Sequence, residues 1–224
     1  MDKKEHNSFF TDETVKYNHD EATRLGPYSD YTWRHDPKHL FFGMARYKFC
    51  AKMLAGGKNL LEVGCGEAFT APMMLQTVET LTGLDVVPEI IGYNNAYNTC
   101  GGRARFLNHN IIESPMEKKF DSCVSMDVIE HIDASLEDRF IGNIAASLLP
   151  HSPCVIGTPN ITSDRYAGES SRREHINLKS HETLKQLLQK HFHNVFLFSM
   201  NDEIVHTGFY PMAHYLMALA VAPK

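Results

Sequence analysis

The sequence has few cysteines, and they show no shared arrangement. The five are Cys50, Cys65, Cys100, Cys123 and Cys154, which lie far apart and include no CxxC pair. An odd number of dispersed thiols argues against a disulfide framework and against a tight zinc knot. We therefore expect reduced thiols in a cytoplasmic protein.

Long apolar runs and blocks of one charge are missing as well. No apolar stretch is long enough to cross a membrane, and no charged-then-apolar leader opens the chain. The net charge is −5 with histidine neutral, and the basic residues are scattered rather than gathered into a face. We expect a small molecule as the partner and neither a nucleic acid nor a membrane. Whether the protein forms a homodimer stays open.

The most informative stretch of the chain is residues 59–68. The apolar run Asn59–Val63 predicts a buried strand, which leads into Gly64-Cys65-Gly66 and then into a helix. Glycines let the backbone turn tightly and approach a ligand, and free N–H groups at a helix start suit a nucleotide or a carboxylate. The turn contains no lysine, which excludes a Walker-type phosphate loop.

Two acidic residues strengthen this interpretation. Asp85 ends the next apolar run, nineteen residues after Gly66, where a carboxylate is placed to bind ribose hydroxyls. Glu62 lies inside the first predicted strand, where an unpaired carboxylate would be costly. We therefore expect Glu62 to have a partner in the fold.

Strand-like and helix-like segments alternate along the chain. We predict strands at 59–63, 80–86, 104–107, 121–126, 154–157, 194–200 and 214–221, and helices at 37–55, 70–77, 88–100, 135–149 and 180–191. This alternation predicts a parallel sheet covered by helices on both faces. Residues 159–179 read as a polar loop, and residues 1–35 as an aromatic-rich lid segment ahead of one domain, residues 36–224.

Four stretches of the chain resemble the motifs of one enzyme superfamily. Residues 61–66, Leu-Glu-Val-Gly-Cys-Gly, resemble motif I of the class I S-adenosylmethionine-dependent methyltransferases. Residues 83–85 resemble the second motif, residues 106–115 the third and residues 120–131 the fourth. The resemblance implies a small-molecule O-methyltransferase of the ubiquinone or sugar type that uses S-adenosylmethionine. It also implies a Rossmann-like three-layer α/β sandwich with a mostly parallel seven-stranded sheet and an antiparallel last strand.

The same resemblance assigns cofactor contacts to particular residues. They are Arg46, Glu62, Gly64, Cys65, Gly66, Asp85, Val86, Asn110, Met126 and Asp127. Glu62 and the glycines would hold the methionine end, and Asp85 the ribose. Asn110, which stands where the family usually has an aspartate, would lie near the adenine. Met126 and Asp127 would form the floor beneath the sulfonium. For Arg46, a solvated charge on a helix surface is an equal alternative.

Two histidines are the catalytic candidates, His175 and His131. An imidazole takes a hydroxyl proton near neutral pH, and relatives often carry a histidine just after the fifth strand, so His175 is the preferred general base. Asp127, Glu130, His131 and His175 together would also suit a divalent metal ion. The same Asp-Val-x-Glu-His string is common in relatives without metal, and we favour the metal-free base.

The leading functional hypothesis is methylation of a hydroxyl on a small molecule. A sugar or sugar derivative is the expected acceptor, because the lid and the long loop supply the polar and aromatic residues His19, Tyr28, Trp33, Arg172 and His175. The alternatives are N-methylation of a small amine, a metal-dependent RNA 2′-O-methyltransferase, and a cofactor-binding subunit without catalysis.

Overall fold

An eight-stranded sheet forms the centre of the molecule, and the computed structural model describes residues 24–224. The strands are β1 (Asn59–Val63), β2 (Thr80–Asp85), β3 (Ala104–Asn108), β4 (Ser122–Met126), β5 (Pro153–Pro159), β6 (Phe192–Asn201), β7 (Ile204–His206) and β8 (Tyr215–Pro223). The helices are α1 (Pro27–His35), α2 (Pro37–Met53), α3 (Ala71–Met74), α4 (Pro88–Tyr97), α5 (Glu137–Ala146), α6 (Glu169–Glu174) and α7 (His181–His191).

The strand order is β3-β2-β1-β4-β5-β8-β6-β7. Strands β1 to β5 pair in parallel, whereas β8 is antiparallel to both β5 and β6. The predicted α/β sandwich with an antiparallel C-terminal part is confirmed. The sheet has one strand more than expected. The chain turns at Asp202, whose backbone φ is in the left-handed region, and β7 then pairs with β6 in the antiparallel direction. Three residues are too few for a strand period to be visible in the sequence.

Helices cover both faces of the sheet. On one face, α5 and α7 bury Phe140, Ile144 and Leu188 against the sheet. On the other face, α2, α3 and α4 contribute Cys50, Met74 and their neighbours to a second apolar cluster. All five cysteines lie in the described residues and are free. None of the helices formed by residues 24–224 combines the length and the apolar character that a membrane span needs.

The segment predicted as a loop, residues 159–179, contains two short helices. A 3-10 helix covers Ile161–Tyr166, and α6 follows it. The Arg172 guanidinium donates hydrogen bonds to the backbone carbonyls of Asp164 and Arg165, which ties the two helices together. Contacts of this kind depend on the folded loop and leave no periodic pattern in the sequence. The predicted helix at 70–77 is shorter than expected and is limited to α3.

The described part of the predicted lid is helix α1, which begins against the glycine-rich turn. The Glu67 carboxylate, just after that turn, accepts hydrogen bonds from the backbone N–H groups of Tyr28 and Ser29. These are two of the N–H groups that a helix start leaves without a partner inside the helix. A Cβ on Gly26 would lie 2.3 Å from Glu67 Cδ, so a larger residue there would displace the Glu67 side chain from this position. The remainder of the lid prediction, which includes His19, concerns residues 1–23 and lies outside the described residues.

Candidate cofactor and acceptor site

A cavity of about 560 Å³ opens at the carboxyl ends of β1, β2 and β4. Its lining includes Gly64, Gly66, Asp85, Val86, Asn110, Asp127 and His131. Gly64 has φ +74°, and a Cβ there would meet the Val128 side chain at 2.2 Å. Gly66 has φ +48°, and a Cβ added to it would have no atom within 4 Å, so its backbone faces open space. Crevices at this edge of parallel sheets are where ligands bind.

Asp85 connects the end of β2 to the glycine-rich turn. Its Oδ2 accepts a hydrogen bond from the Gly66 N–H at 3.0 Å, and its Oδ1 accepts one from the Val87 N–H at 3.0 Å. These contacts orient the carboxylate in the cavity. Asn110 also lines the cavity, and its Oδ1 accepts a hydrogen bond from the Ile112 N–H. The ribose and adenine roles of Asp85 and Asn110 stay predictions.

Cys65 and Met126 do not line this cavity. Cys65 is 5% exposed, and its thiol lies beside the Asn94 side chain on the opposite side of the turn. Met126 is also buried, with its sulfur 4.0 Å from Cys50 Sγ in the apolar cluster under α2. Any contact of Cys65 with a cofactor would therefore involve its backbone, and Met126 belongs to the buried apolar cluster rather than to the cavity lining.

Glu62 has the partner that its buried position requires. The Tyr47 hydroxyl donates a 2.7 Å hydrogen bond to Glu62 Oε1, while Oε2 has no partner among the described residues. Burial raises the pKa of Glu62 to about 7, although the hydrogen bond from Tyr47 acts to lower it. Nothing in the spacing of the sequence indicates Tyr47, which lies fifteen residues away on α2.

Arg46 and Asp127 form an ion pair in which one guanidinium nitrogen contacts both carboxylate oxygens. Arg46 Nη1 lies 2.9 Å from Oδ1 and 2.7 Å from Oδ2 of Asp127, which has the left-handed φ of +55°. Arg46 is only 7% exposed, so it is not a solvated surface charge. Its guanidinium stacks on the Tyr215 ring at 3.7 Å, and its Nε has no hydrogen-bond partner in the described structure.

A second cavity of about 280 Å³ lies on the other side of this ion pair. Its lining includes His39, Phe42, Arg46, Asp164, Tyr166, His175, Asp202, His214 and Tyr215. Asp127 lines the first cavity and Arg46 the second, so the pair stands between them. The two predicted catalytic histidines are divided in the same way, and their ring centroids are 5.1 Å apart.

His175 is chemically suited to accept a proton. Burial, together with the nearby His131, lowers the pKa of His175, so its imidazole is neutral at neutral pH. A neutral imidazole has a free lone pair on one ring nitrogen. His131 Nδ1 lies 3.0 Å from the Glu174 carbonyl oxygen, which favours the tautomer with its proton on Nδ1. His175 therefore has a lone pair available, whereas His131 uses its Nδ1 to donate to the Glu174 carbonyl.

Three of the four residues of the metal alternative come together. One ligand atom from each of Glu130, His131 and His175 lies within 4.8 Å of the others. Glu130 is fully buried, with Oε2 accepting a 3.0 Å hydrogen bond from Thr158 and Oε1 without a partner in the described residues. Burial, followed by the charge of Asp127, raises the pKa of Glu130 to about 8. The fourth residue, Asp127, is engaged by Arg46 instead.

The residues from which we predicted a sugar acceptor do not lie together in the structure. Of this set, His175 lines the second cavity, whereas Tyr28, Trp33 and Arg172 do not. Tyr28 and Trp33 are exposed on α1. The cavity instead takes its polar groups from residues that the sequence did not single out: Asp164, Asp202, His214 and Tyr215. They come from three separate regions of the chain, so no local motif marks them.

Two solved structures illustrate the fold similarity. The N-methyltransferase NodS from Bradyrhizobium japonicum WM9, in complex with S-adenosyl-l-homocysteine, aligns with a TM-score of 0.62 and 19% identity over 89% of this chain and 94% of its own. The methyltransferase domain of bacterial CtHen1-C aligns with a TM-score of 0.67 and 16% identity over 82% of this chain and 100% of its own. At these identities the similarity shows the fold.

Curated relatives match a shorter part of the chain. The ubiquinone biosynthesis O-methyltransferase of Rickettsia conorii is 28% identical over 109 residues, 48% of this chain and 37% of that protein. The mitochondrial enzyme of that name from Schizosaccharomyces pombe is 23% identical over 106 residues, 46% of this chain and 38% of its own. The matched stretch spans less than half the length of these relatives. A family model described as a methyltransferase domain matches residues 33–191. The chain belongs to this methyltransferase-domain family, whose members depend on S-adenosylmethionine.

Proposed function

We propose that this protein transfers a methyl group from S-adenosylmethionine to a hydroxyl of a small molecule. The observation that carries the proposal is the pair of adjoining cavities divided by Arg46–Asp127 and by His131 and His175. One cavity suits the donor and the other an acceptor. Methyl transfer needs donor and acceptor aligned across a short gap, and a shared wall between two cavities provides that arrangement.

The first cavity fits the methyl donor in both size and chemistry. Its volume lies within the roughly 300–1,000 Å³ range of cofactor pockets. Next to it, Glu62 Oε2 is buried without a partner among the described residues. The cofactor's ammonium would satisfy this atom. Asp85 would accept hydrogen bonds from the ribose hydroxyls, and Asn110 would lie beside the base.

On the acceptor side, His175 supplies the base. When bound, the cofactor provides a methyl group activated by a positively charged sulfur. His175 removes the proton from the acceptor hydroxyl, and the neutral imidazole favoured by burial is the form able to do so. The Arg46–Asp127 ion pair stabilises the boundary between the two cavities, with Asp127 on the donor side and Arg46 on the acceptor side. Hydroxyl methylation also agrees with the names of the curated relatives, which are O-methyltransferases.

The experiment that tests this proposal follows radiolabelled methyl groups from S-adenosylmethionine into fractionated cell extract. We expect label in the low-mass fraction as an acid-stable methyl ether. His175→Ala should abolish the incorporation, while the control His193→Ala, an exposed histidine on β6, should not. Label in RNA or on an amine would contradict the proposal, as would an absence of binding to S-adenosyl-l-homocysteine in calorimetry.

Metal-assisted hydroxyl methylation is the second candidate, because Glu130, His131 and His175 converge. A donor set of one carboxylate and two imidazoles suits several divalent ions. Within this candidate, His175 would hold the ion instead of removing the proton directly. Sensitivity of turnover to a chelator separates the two candidates.

A further inference from the structure

With histidine counted as neutral, the second cavity has two acidic side chains and one basic side chain in its lining. Asp164 and Asp202 both line it, and neither forms an ion pair with a basic side chain in the described part of the chain. Arg46 is the one lysine or arginine in the lining, and the ion pair with Asp127 balances its charge. The cavity is therefore left with two uncompensated carboxylates.

Three histidines, His39, His175 and His214, also line the cavity. Burial lowers the pKa of His175 and of His214. Asp164 acts in the opposite direction on the pKa of His175, and Asp202 on that of His214, and neither outweighs burial. Asp164 is half-buried and Asp202 is exposed, and both belong to the lining of the cavity.

Buried groups without partners mark the cavity as a binding site. Arg46 Nε and Tyr215 Oη are both buried, and neither has a hydrogen-bond partner within residues 24–224. An N–H donor and a hydroxyl left without partners inside a protein cost free energy, and a ligand oxygen would satisfy them. Phe42 and Tyr166 add aromatic surface to the same lining. Aromatic faces accommodate both flat rings and cationic groups.

We propose that the acceptor is a single-ring hydroxyl compound that also carries a protonated amine, held by Asp164 and Asp202. The cavity volume of about 280 Å³ lies just below the roughly 300–1,000 Å³ of pockets for drug-sized ligands, which favours a small acceptor such as one ring with a short side chain. The hydroxyl oxygen lies at Arg46, Tyr215 and His175, and the amine lies toward the carboxylates. A protonated amine has no lone pair, so it serves recognition while the hydroxyl receives the methyl group. This inference rests on the proposed function and specifies its acceptor.

The test compares three phenols that differ in charge and are otherwise similar in size. The probes are tyramine, which is cationic, 4-(2-hydroxyethyl)phenol, which is neutral, and 3-(4-hydroxyphenyl)propionate, which is anionic. Binding of each is measured by calorimetry on the full chain saturated with S-adenosyl-l-homocysteine. We expect tyramine to bind roughly 5–20-fold more tightly than the neutral phenol, because two partly screened carboxylates each contribute a modest interaction. The anionic phenol should bind most weakly.

Matched variants assign the preference to the two carboxylates. Asp164→Asn and Asp202→Asn keep the side-chain shape and remove one charge each, and the double variant removes both. Each should weaken tyramine binding and leave the neutral phenol unchanged. Glu117→Gln changes the net charge equally at an exposed position outside the cavity, and it should behave as wild type.

Three results would overturn the inference. They are equal binding of the three phenols, no detectable binding of tyramine, and a tyramine preference that survives in the double variant. Binding of S-adenosyl-l-homocysteine, measured in the same samples, keeps this inference separate from the proposed function. If S-adenosyl-l-homocysteine binds and the charge preference is absent, only the acceptor assignment fails. If S-adenosyl-l-homocysteine does not bind, the proposed function fails, and this inference with it.

Discussion

The buried Glu62 should make the stability of the protein fall as pH rises through the mildly acidic range. Its side chain is 1% exposed, and burial raises its pKa from 4.5 to about 7. The unfolded chain therefore loses this proton at a lower pH than the folded protein does. Between these two values, ionisation stabilises the unfolded state alone, so the free energy of unfolding decreases. Above a pH of about 7 the folded protein ionises as well, and the decrease ends.

The size of the effect follows from the difference between the two pKa values. One pKa unit corresponds to about 1.4 kcal/mol, so a rise from 4.5 to about 7 makes Glu62 cost about 3 kcal/mol above the upper value. Over the accessible range, from about pH 5 to about pH 8, the expected loss is about 2–3 kcal/mol. A loss of this size is large compared with the roughly 5–15 kcal/mol that stabilises most proteins.

The assay is urea denaturation of wild type and Glu62→Gln across this pH range. Glutamine keeps an oxygen that can accept the hydrogen bond from Tyr47, and it has no proton to lose. Its amide adds a cost that does not change with pH, so the informative quantity is the change with pH in the difference between the two proteins. We expect Glu62→Gln to gain about 2–3 kcal/mol relative to wild type between about pH 5 and about pH 8.

Glu117→Gln, at an exposed position, is the control and should keep the wild-type pH dependence. Glu130 is also buried with a raised pKa, but it is present in all three proteins and cancels in the comparison. The reasoning would be refuted if the difference between Glu62→Gln and wild type did not change with pH. In that case Glu62 would be ionised in the folded protein, with a compensating charge close by.

Three further predictions address the site. Asp85→Ala should weaken binding of S-adenosyl-l-homocysteine by about 1–3 kcal/mol, and unchanged calorimetric affinity would remove Asp85 from the ribose role. Deleting residues 1–35 should preserve the circular dichroism of the domain and abolish turnover, and a truncated enzyme with normal kcat/KM would exclude a lid function. His175→Ala should lower kcat by about 10²–10⁴-fold without changing cofactor affinity. The wild-type rate should fall as pH drops through the lowered pKa of His175, and EDTA should have no effect. Loss of activity in EDTA, with recovery in Mg²⁺ or Mn²⁺, would instead support the metal-assisted candidate.

Local pattern was enough to predict the frame of the site. The strand Asn59–Val63 was predicted with its observed ends, and β2 ends at Asp85, one residue before the predicted end. Both results depend on short-range physics. An apolar run bounded by turn residues forms a buried strand, and the backbone at Gly64 and Gly66 takes left-handed angles that glycine adopts without strain. Because parallel strands place their carboxyl ends at one edge, the order of these residues along the chain already placed them together.

Contacts between distant residues were decided only by the tertiary structure. Arg46 pairs with Asp127 across eighty-one positions, and Glu67 accepts hydrogen bonds from the start of α1, thirty-eight positions earlier at Ser29. The placement of His131 in one cavity and His175 in the next depends on how the chain after β5 folds back. These pairings depend on which surfaces pack together once the sheet has formed. The spacing of side chains along the sequence does not predict that packing. The sequence by itself therefore determined the sheet edge and its glycine-rich turn, and the tertiary structure decided which side chains line the two cavities.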